Sequence, residues 1–524
     1  MLVKSKYLVF PANKNGTQKR VDFLVDGKRV LYMNIRLDNI NPDYEAYVDV
    51  SKYMGMELEF TVTPEMPLNY EERDEYKVSG AYSEAYRPQV HFSPESGWNN
   101  DPNGLFCLNG KYHLFYQHNP CDPMWENMSW GHAVSNDLMH WENKDIALFP
   151  DEFGTMYSGS AMVDTDNLLG KQEGDIPTVV LYYTAAAQAH TERKKYSQCM
   201  AYSVDGGETF TKCENNPVID HIVGGNRDPK IVYSPELKCY LLALYLDGDD
   251  YAIFKTDDLV NFKEWFRFTA KGENECPDIF RIKADDGKYK WVFIGAHDVY
   301  ISGEIIDGEF VPDGGFKKLH NGSWYASQTY SDAPDKRRIR IEWMRWGGFM
   351  EKNFSQQMGI PTEITLKNIN NEYYLSALPV KELEALYKTE DVYKALTLEE
   401  NGKTQINVGT DPIYYEIKAD YKEDGILKIN NFGMNFTLNF KDNEINLNGI
   451  KSKISLNREK LNIKVLADRA SIEIFLDGGI YCVTNAGTFS GNSLMDRNLP
   501  YIELESNKEI TLDEIKINTL KSIW

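Results

Sequence analysis

The chain has 524 residues, of which 42% are hydrophobic and 26% charged, so it holds enough apolar material for sizeable folded cores. Its 57 Lys and Arg against 79 Asp and Glu give a formal net charge of −22, which disfavours nucleic acids and anionic membranes as partners. At roughly 100 to 200 residues per domain, we expect about three folded units.

Residues 1–85 are predicted to form a small β domain with a linker. Segment 21–37 alternates strand-forming residues around an Asp-Gly-Lys turn, and segments 44–50 and 58–63 continue the pattern. A stretch rich in Glu, Tyr and Arg follows at 69–88 and is predicted to be the linker. Three roles are open for this domain: contact with substrate, contact with another subunit, or support of the next domain.

Residues 86–370 are predicted to form a five-bladed β-propeller. Five short aliphatic or aromatic runs recur in this region, starting at Tyr112, Thr178, Tyr240, Tyr289 and Arg338. Turn residues rather than long helical patterns separate them, which disfavours parallel βαβ units. Such spacing suits five blades of about four strands each. On spacing alone, the alternative is a β-sandwich with long insertions.

The remainder of the chain is predicted to be a connector followed by a second β domain. Residues 371–399 contain the one clear amphipathic helical pattern, which starts at Leu378. Residues 400–524 alternate polar and apolar residues between Gly and Asn turns, which indicates a β-sandwich. The predicted fold class is therefore all-β: a small N-terminal β domain, a five-bladed β-propeller and a C-terminal β-sandwich.

The seven Cys form an odd set without CxxC pairs or the Cys/His spacing of a zinc site, so neither a disulfide framework nor a metal site is predicted. The first residues have too short an apolar stretch for a secretory signal, and no apolar run reaches the roughly 18 residues that span a bilayer. We expect a cytoplasmic protein without membrane contact; a secreted form after signal cleavage would show the same start. No phosphate loop or HExxH motif occurs, and no cofactor is expected.

Three segments combine an acid with a nearby proline: GWNNDPNGL with Asp101, GGNRDPK with Asp228 and NECPDIF with Glu275. A following proline favours extended backbone, which suits a side chain aimed from a strand end, whereas each segment taken singly also fits a turn. In a propeller the innermost strands converge, so acids 174 residues apart (275 − 101) can meet. Two carboxyls in different protonation states are what glycoside hydrolysis requires.

These segments resemble, in the same order, three sequence boxes of glycoside hydrolase family 32, the invertase, levanase and inulinase group. GWNNDPNGL is similar to the family's WMNDPNG box, NRDPK to its FRDP box and NECPDIF to its WECPD box. Similarity also runs through FYQHNP, YSGSAMVD and SIEIFLDGGIYCVT, from about His91 to the end. The chain is most like bacterial fructan β-fructosidases with an extra N-terminal β domain. The resemblance implies a five-bladed propeller followed by a β-sandwich.

The resemblance also implies a double-displacement mechanism with retention. Asp101 would be the nucleophile that attacks C2 of a terminal β-fructofuranosyl unit, Glu275 the acid/base and Asp228 the stabiliser of the transition state. Water activated by Glu275 would then open the fructosyl-enzyme ester. The positions that match the family's substrate-binding residues are Trp98, Asn100, Gln117, Trp125, Tyr157, Ser158, Arg227, Trp324 and Tyr325.

Three positions depart from the family pattern, because Asn99, Asn226 and Asn274 stand where Met, Phe and Trp are common. We expect a more polar or roomier leaving-group side, with a fructan or fructooligosaccharide of levan or inulin type preferred over sucrose. The alternatives are an endo-levanase, a fructosyltransferase and a non-catalytic fructan-binding protein. The sequence defines neither the linkage preference nor the oligomeric state.

Overall fold

The structure, a computed structural model, describes residues 1–187, 195–345, 353–410, 412–420, 424–454, 460–489, 492–493 and 499–524. Within these ranges the regular structure is β-strand apart from four short 3-10 helices, Ser51–Tyr53, Pro334–Lys336, Lys381–Leu386 and Asp477–Gly479. No helix of the described part is long and apolar enough to cross a membrane. The all-β prediction is confirmed.

Two three-stranded antiparallel sheets form the N-terminal domain. One consists of Tyr7–Ala12, Tyr44–Asp49 and Glu71–Arg73, and the other of Lys19–Val25, Lys28–Ile35 and Glu59–Thr63. Asp26 and Gly27 have φ angles of 50° and 71°, as a two-residue type I′ hairpin turn requires. Phe10 and Phe23 are fully buried in the apolar core of this domain. Since Glu71–Arg73 pairs with Tyr7–Ala12, part of the predicted linker belongs to the domain.

Five sheets follow in chain order, each with four main antiparallel strands. The first sheet has Gly97–Leu108, Lys111–Asn119, Ser129–Ser135 and Glu142–Leu148; the second has Thr155–Asp164, Thr178–Ala186, Ser197–Ser203 and Thr211–Lys212. The third has Arg227–Ser234, Cys239–Asp247, Asp250–Thr256 and Lys263–Thr269; the fourth has Asp278–Lys283, Tyr289–Ile294, Val299–Ile306 and Glu309–Pro312, with Lys317–Lys318 added. The fifth has Trp324–Thr329, Ile339–Met344, Thr362–Ile369 and Glu372–Pro379, with Gln357–Met358 added.

These sheets close into a β-propeller. The first strand of each sheet contacts the first strand of the next, and that of the fifth sheet contacts that of the first. Phe354–Ser355 also pairs in parallel with Gly97 and Trp98 of the first sheet. Each apolar run found in the sequence forms the second strand of its sheet, and Thr178–Ala186 is buried at every position. The fifth sheet extends to Pro379, beyond the predicted boundary at residue 370.

The predicted connector is shorter in the structure. Its helical part is the 3-10 helix Lys381–Leu386, in which Leu383 and Leu386 are buried. Tyr387–Leu398 is instead a strand that pairs with Ile510–Leu520 and so belongs to the C-terminal domain. The helical pattern that starts at Leu378 thus forms only this short 3-10 helix, and most of the remaining predicted connector is a strand.

Two large sheets form the C-terminal β-sandwich. One contains His320–Gly322, Tyr481–Ala486, Ser471–Leu476, Lys460–Ala467, Ile413–Asp420, Ile510–Leu520 and Tyr387–Leu398 in this order. The other contains Gly402–Asn407, Tyr501–Ser506, Ile426–Asn431, Met434–Asn439, Glu444–Leu447 and Ile450–Lys453; Thr488–Phe489 and Asn492–Ser493 pair separately. Because His320–Gly322 precedes the fifth blade, the propeller donates an edge strand to the sandwich. Buried residues of both domains also share one apolar core.

Candidate active site

One cavity of about 320 Å³ lies where the inner strands of the propeller converge. Its lining residues are Asn100, Asp101, Gln117, Trp125, Met128, Tyr157, Ser158, Tyr196, Arg227, Asp228, Glu275, Tyr325 and Trp343. Asp101, Ser158, Asp228 and Tyr325 come from the first strands of the first, second, third and fifth sheets. Glu275 lies three residues before the first strand of the fourth sheet. The ring of sheets thus joins all three predicted acids in one site.

Asp101 is held in a fixed orientation by neutral donors. The Ser158 hydroxyl donates a hydrogen bond of 2.6 Å to Oδ2, and the Asn100 amide donates one of 3.1 Å to Oδ1. Burial raises the pKa of Asp101, and the nearby Glu275 carboxylate raises it further, although the two donors oppose this. The carboxyl group is therefore oriented on both oxygens before any ligand binds.

Asp228 lies against the segment that carries the third acid. The backbone N–H of Cys276 donates a hydrogen bond of 2.9 Å to Oδ2 of Asp228, and Nε of Arg227 is 3.8 Å from the same oxygen. Burial and the Glu275 charge together raise the pKa of Asp228 to about 7 in spite of the Arg227 guanidinium. This carboxyl group therefore changes charge near neutral pH.

Glu275 is held by two donors from other blades. Nη2 of Arg227 donates to Oε1, and the Tyr325 hydroxyl donates a hydrogen bond of 2.5 Å to Oε2. Burial alone would raise the pKa of Glu275, but the charge of Arg227 and the Tyr325 hydroxyl lower it below the usual range. Glu275, which by resemblance is the acid/base, is thus an ionised carboxylate in this structure.

The backbone at two of the acids differs from the prediction. Asp228 has a φ of 67° and Glu275 a φ of 57°, so both lie in the left-handed region, which costs a residue with a side chain about 1–3 kcal/mol. The proline pattern indicated extended backbone, and at Asp228 this is wrong. The cause is an irregularity in strand pairing between Arg227 and Lys230, which turns the Asp228 side chain toward the cavity.

The predicted binding residues divide into two groups. Asn100, Gln117, Trp125, Tyr157, Ser158, Arg227 and Tyr325 line the cavity, and Trp98 stands behind them with its Nε1 donating a 2.8 Å hydrogen bond to Oδ1 of Asn100. Trp324 lies elsewhere, because neighbouring residues of a strand point to opposite faces. Its ring packs against His320 and, at 6.2 Å between centroids, against Phe475 of the sandwich. The prediction that Trp324 lines the substrate cavity is therefore wrong.

Three residues of the cavity were missed by the sequence analysis: Met128, Tyr196 and Trp343. Trp343 pairs in register with Tyr325, and its ring lies 6.0 Å from both Trp98 and Tyr325. Alternation along the fifth-blade run RIRIEWM could have found Trp343 once Tyr325 was assigned to the cavity. No local sequence pattern marks Tyr196.

The three asparagines that depart from the family pattern, Asn99, Asn226 and Asn274, do not all line the cavity and so do not all make its wall more polar. Asn99 and Asn226 are completely buried. The Asn226 side-chain oxygen accepts from the N–H groups of Ile222 and Val223, which fixes the loop before Arg227. Of the three, only the Asn274 side chain contacts a cavity residue, since its amide lies 3.1 Å from the Tyr325 hydroxyl, whose proton is donated to Glu275. The expected effect on the leaving-group side therefore depends on Asn274.

One buried group in the described part of the chain has donor atoms close enough together for a metal ion: Asp298, His320 and Glu342, within 4.8 Å of one another. The Arg340 guanidinium already pairs with both carboxylates, at 3.1 Å from Asp298 and in direct contact with Glu342. Burial and the charge of Arg340 lower the pKa of His320 well below its usual range. Arg340 thus supplies the positive charge that a metal would bring.

Three carboxyl groups, one Arg and a set of aromatic rings at the centre of a β-propeller are the features of a glycosidase of the propeller class. The chain belongs to glycosyl hydrolase family 32, because the model of the "Glycosyl hydrolases family 32 N-terminal domain" matches residues 91–378. The resemblance stated from the sequence boxes is therefore confirmed.

Known relatives cover most of the chain. The levanase of Bacillus subtilis strain 168 is 31% identical over 505 residues, which span 85% of this chain and 72% of that protein. The invertase of Schizosaccharomyces pombe is 35% identical over 297 residues, 52% of this chain and 50% of the invertase. The crystal structure of an exo-inulinase from Aspergillus awamori superposes with a TM-score of 0.74 at 26% identity, covering 84% of this chain and 100% of that one. It supports the propeller and sandwich architecture.

Proposed function

We propose that this protein is a retaining β-fructosidase, which releases fructose from the ends of levan-type or inulin-type fructans and fructooligosaccharides. The observation that carries the proposal is the meeting of Asp101, Asp228 and Glu275 around one cavity. The relatives named levanase, exo-inulinase and invertase support a fructosyl substrate. Sucrose is a further candidate substrate.

Asp101 is the nucleophile in this proposal. Hydrogen bonds from Ser158 and Asn100 hold both of its oxygens, so the carboxylate needs little reorganisation to attack C2 of the fructosyl unit. The new C2–O bond gives a fructosyl ester, and the bond to the leaving-group oxygen breaks with its electrons on that oxygen. As positive charge develops on the ring, Asp228 accepts hydrogen bonds from sugar hydroxyls and Arg227 donates hydrogen bonds to them.

Glu275 acts as the acid and then as the base, and the low pKa of its carboxyl suits the second role. In the first step the charge of ionised Asp101 raises the pKa of Glu275, and hydroxyls that bind Arg227 weaken the ion pair, so a proton is available for the leaving oxygen. Once Asp101 is an ester it carries no charge. Arg227 and Tyr325 then favour the carboxylate of Glu275, which removes a proton from the attacking water.

The cavity shape favours chain ends over internal units. Its volume of about 320 Å³ is at the small end of ligand sites in proteins, and all three acids line it. A terminal fructosyl unit fits such a site with the rest of the chain in solvent. We therefore propose exo action, with hydrolysis rather than transfer as the main outcome.

Product analysis from sucrose, inulin and levan tests the proposal. We expect free fructose as the first product of levan or inulin, and a slower release from sucrose. Short fragments would indicate endo action, and longer oligosaccharides a transferase. Asp101→Asn keeps the shape of the site and should lower kcat about 10⁴-fold or more, as loss of other nucleophiles does. Parent activity in this variant would refute the role of Asp101.

We also propose that the protein works in a reducing compartment, the cytoplasm. All seven cysteines lie in the described part of the chain, none of them is in a disulfide, and six are buried. Such thiols fit a fold that needs no disulfide. Fractionation of producing cells, with the enzyme measured in the cytoplasmic and external fractions, tests this proposal.

A further inference from the structure

The loop 120–128 joins the second and third strands of the first blade and carries Trp125 into the cavity wall. The Trp125 side chain is 47% exposed, and its ring lies 6.3 Å from that of Tyr157 in an edge-on arrangement. An indole at the mouth of a cavity has little packing of its own to fix its position. The position of Trp125 therefore depends on what holds the loop.

The N-terminal domain holds the loop on the side that precedes Trp125. Nη1 of Arg36 donates to both carboxylate oxygens of Asp122 at 2.8 Å, and the Tyr44 hydroxyl donates to Oδ2 at 2.9 Å. The side chains of Asp122 and Arg36 are 1% and 15% exposed, so this ion pair is largely shielded from solvent. Cys121, next to it, is packed into the apolar core of the N-terminal domain.

A second contact holds the loop after Trp125. The backbone N–H of Asn34 donates to Oδ1 of Asn127 at 2.8 Å, and the Asn127 amide donates back to the Asn34 carbonyl at 2.8 Å. Asn127 is buried and has a φ of 51°, a conformation that asparagine tolerates better than most residues. The chain is thus fixed three residues before Trp125 and two residues after it.

Bonds inside the loop pass this restraint to Trp125. Oδ1 of Asp122 accepts a 2.9 Å hydrogen bond from the N–H of Met124, and the Met124 carbonyl accepts one of 2.7 Å from the Asn119 amide. The Asn127 amide also donates a 3.0 Å bond to Oδ1 of Asn119. Met124 is the neighbour of Trp125, so the residues that the N-terminal domain binds are the ones that set its backbone.

We propose that the N-terminal domain is a positioning element of the substrate site, with Arg36 as the positioning residue that places Trp125 through Asp122. The proposal rests on the proposed fructosidase function and deepens it. Arg36 acts on substrate binding rather than on the reacting bonds, since Trp125 lies on the cavity wall and the hydrogen bonds of the acids come from other residues. The sequence left three roles open for this domain. The proposed role is support of the propeller, and through this support the domain affects substrate binding indirectly.

Kinetics of Arg36→Met with a short fructooligosaccharide test the proposal. We expect KM to rise about tenfold while kcat stays within about twofold, because a displaced Trp125 weakens binding without touching Asp101 or Glu275. Arg36→Lys keeps the charge and should restore part of the loss. The matched control is Arg73→Met, which removes another Arg of the N-terminal domain, one that pairs with Glu45 at 2.7 Å and has no contact with the loop. We expect its KM to equal that of the parent.

A double-mutant cycle with Trp125→Ala shows whether the effect passes through the indole. In the Trp125→Ala background, Arg36→Met should raise KM less than twofold further. A full tenfold rise in that background would overturn the proposal, as would an unchanged KM in Arg36→Met itself. Thermal unfolding of each variant identifies any loss of folded protein.

Amide hydrogen exchange separates this proposal from the fructosidase function. Peptides covering 119–128 should exchange faster in Arg36→Met than in the parent or in Arg73→Met, with or without substrate. If the parent cleaves no fructan, the proposed function fails while this exchange result still stands. If the loop exchanges at the parent rate in Arg36→Met, the positioning role fails although the enzyme is active.

Discussion

The replacement His91→Gln should remove a pH-dependent part of the stability of this protein. His91 is completely buried between propeller and sandwich, with Nδ1 2.8 Å from Oδ2 of Asp468 and Nε2 2.7 Å from Oε2 of Glu473. Burial alone would lower the pKa of His91, but the two carboxylates outweigh it and raise the pKa from 6.5 to about 9. The folded protein therefore keeps a proton that the unfolded chain loses at lower pH.

The magnitude follows from the two pKa values of His91. The difference between 6.5 and about 9 corresponds to about 3 kcal/mol of unfolding free energy, at about 1.4 kcal/mol per unit. Since the folded pKa is the higher one, this contribution is complete below pH 6.5 and is lost as the pH rises through 9. Glutamine does not titrate in this range, so the variant lacks the contribution at every pH.

Denaturant unfolding followed by tryptophan fluorescence, at about pH 6 and about pH 9.5, measures this effect. Over that interval the parent should lose about 3 kcal/mol more than His91→Gln. His140→Gln is the matched control, because His140 also contacts a carboxylate, Asp137 at 2.8 Å, but its side chain is 53% exposed. We expect this control to follow the parent. The same pH dependence in His91→Gln and in the parent would refute the reasoning.

Three further outcomes are expected at the active site. Tyr325→Phe removes a hydrogen-bond donor that lowers the pKa of Glu275. The alkaline side of the pH profile of kcat/KM should therefore move to higher pH, and an unchanged position or a move to lower pH would contradict this. Trp324→Phe should lower the melting temperature but leave KM unchanged, because its ring contacts Phe475 outside the cavity. Asn274→Trp should raise the rate on sucrose relative to levan in side-by-side assays, and an unchanged ratio would remove Asn274 from the basis of specificity.

The parts of the structure that local patterns define could be predicted from the sequence. The apolar runs of the sequence form the second strand of each blade, and the Asp-Gly pair at 26–27 forms a hairpin turn. The three acids were found from segments in which an acid stands near a proline, and the order of these segments then matched the boxes of the family. Their meeting in one cavity follows from ring closure, which a sequence with five repeating runs already suggests.

Features that depend on contacts between distant segments could not be predicted in this way. Trp324 and Tyr325 are adjacent in sequence, and only the pairing of their strand shows which of them faces the cavity. The segment Tyr387–Leu398 falls in the predicted connector, yet it pairs with the last strand of the chain. The sequence suggests that Asn226 alters the substrate pocket, but in the structure its side chain accepts hydrogen bonds from the backbone of the preceding loop. For the two strands a partner elsewhere in the chain decides the outcome, and for Asn226 the fold of the loop three and four residues before it does.

The protonation of Glu275 is a property of the whole ring rather than of its own segment. Arg227 reaches it from the third sheet and Tyr325 from the fifth, while Asp101 from the first sheet adds a like charge. In the proposed mechanism the charge of Asp101 disappears when the ester forms, whereas the Arg227 guanidinium and the Tyr325 hydroxyl remain beside Glu275. The pKa of Glu275, which Arg227 and Tyr325 already lower, should therefore fall further once the ester forms, and this favours the proposed role of Glu275 as the base of the second step. The geometry that brings the acids together thus also couples the proton of Glu275 to the charge of Asp101.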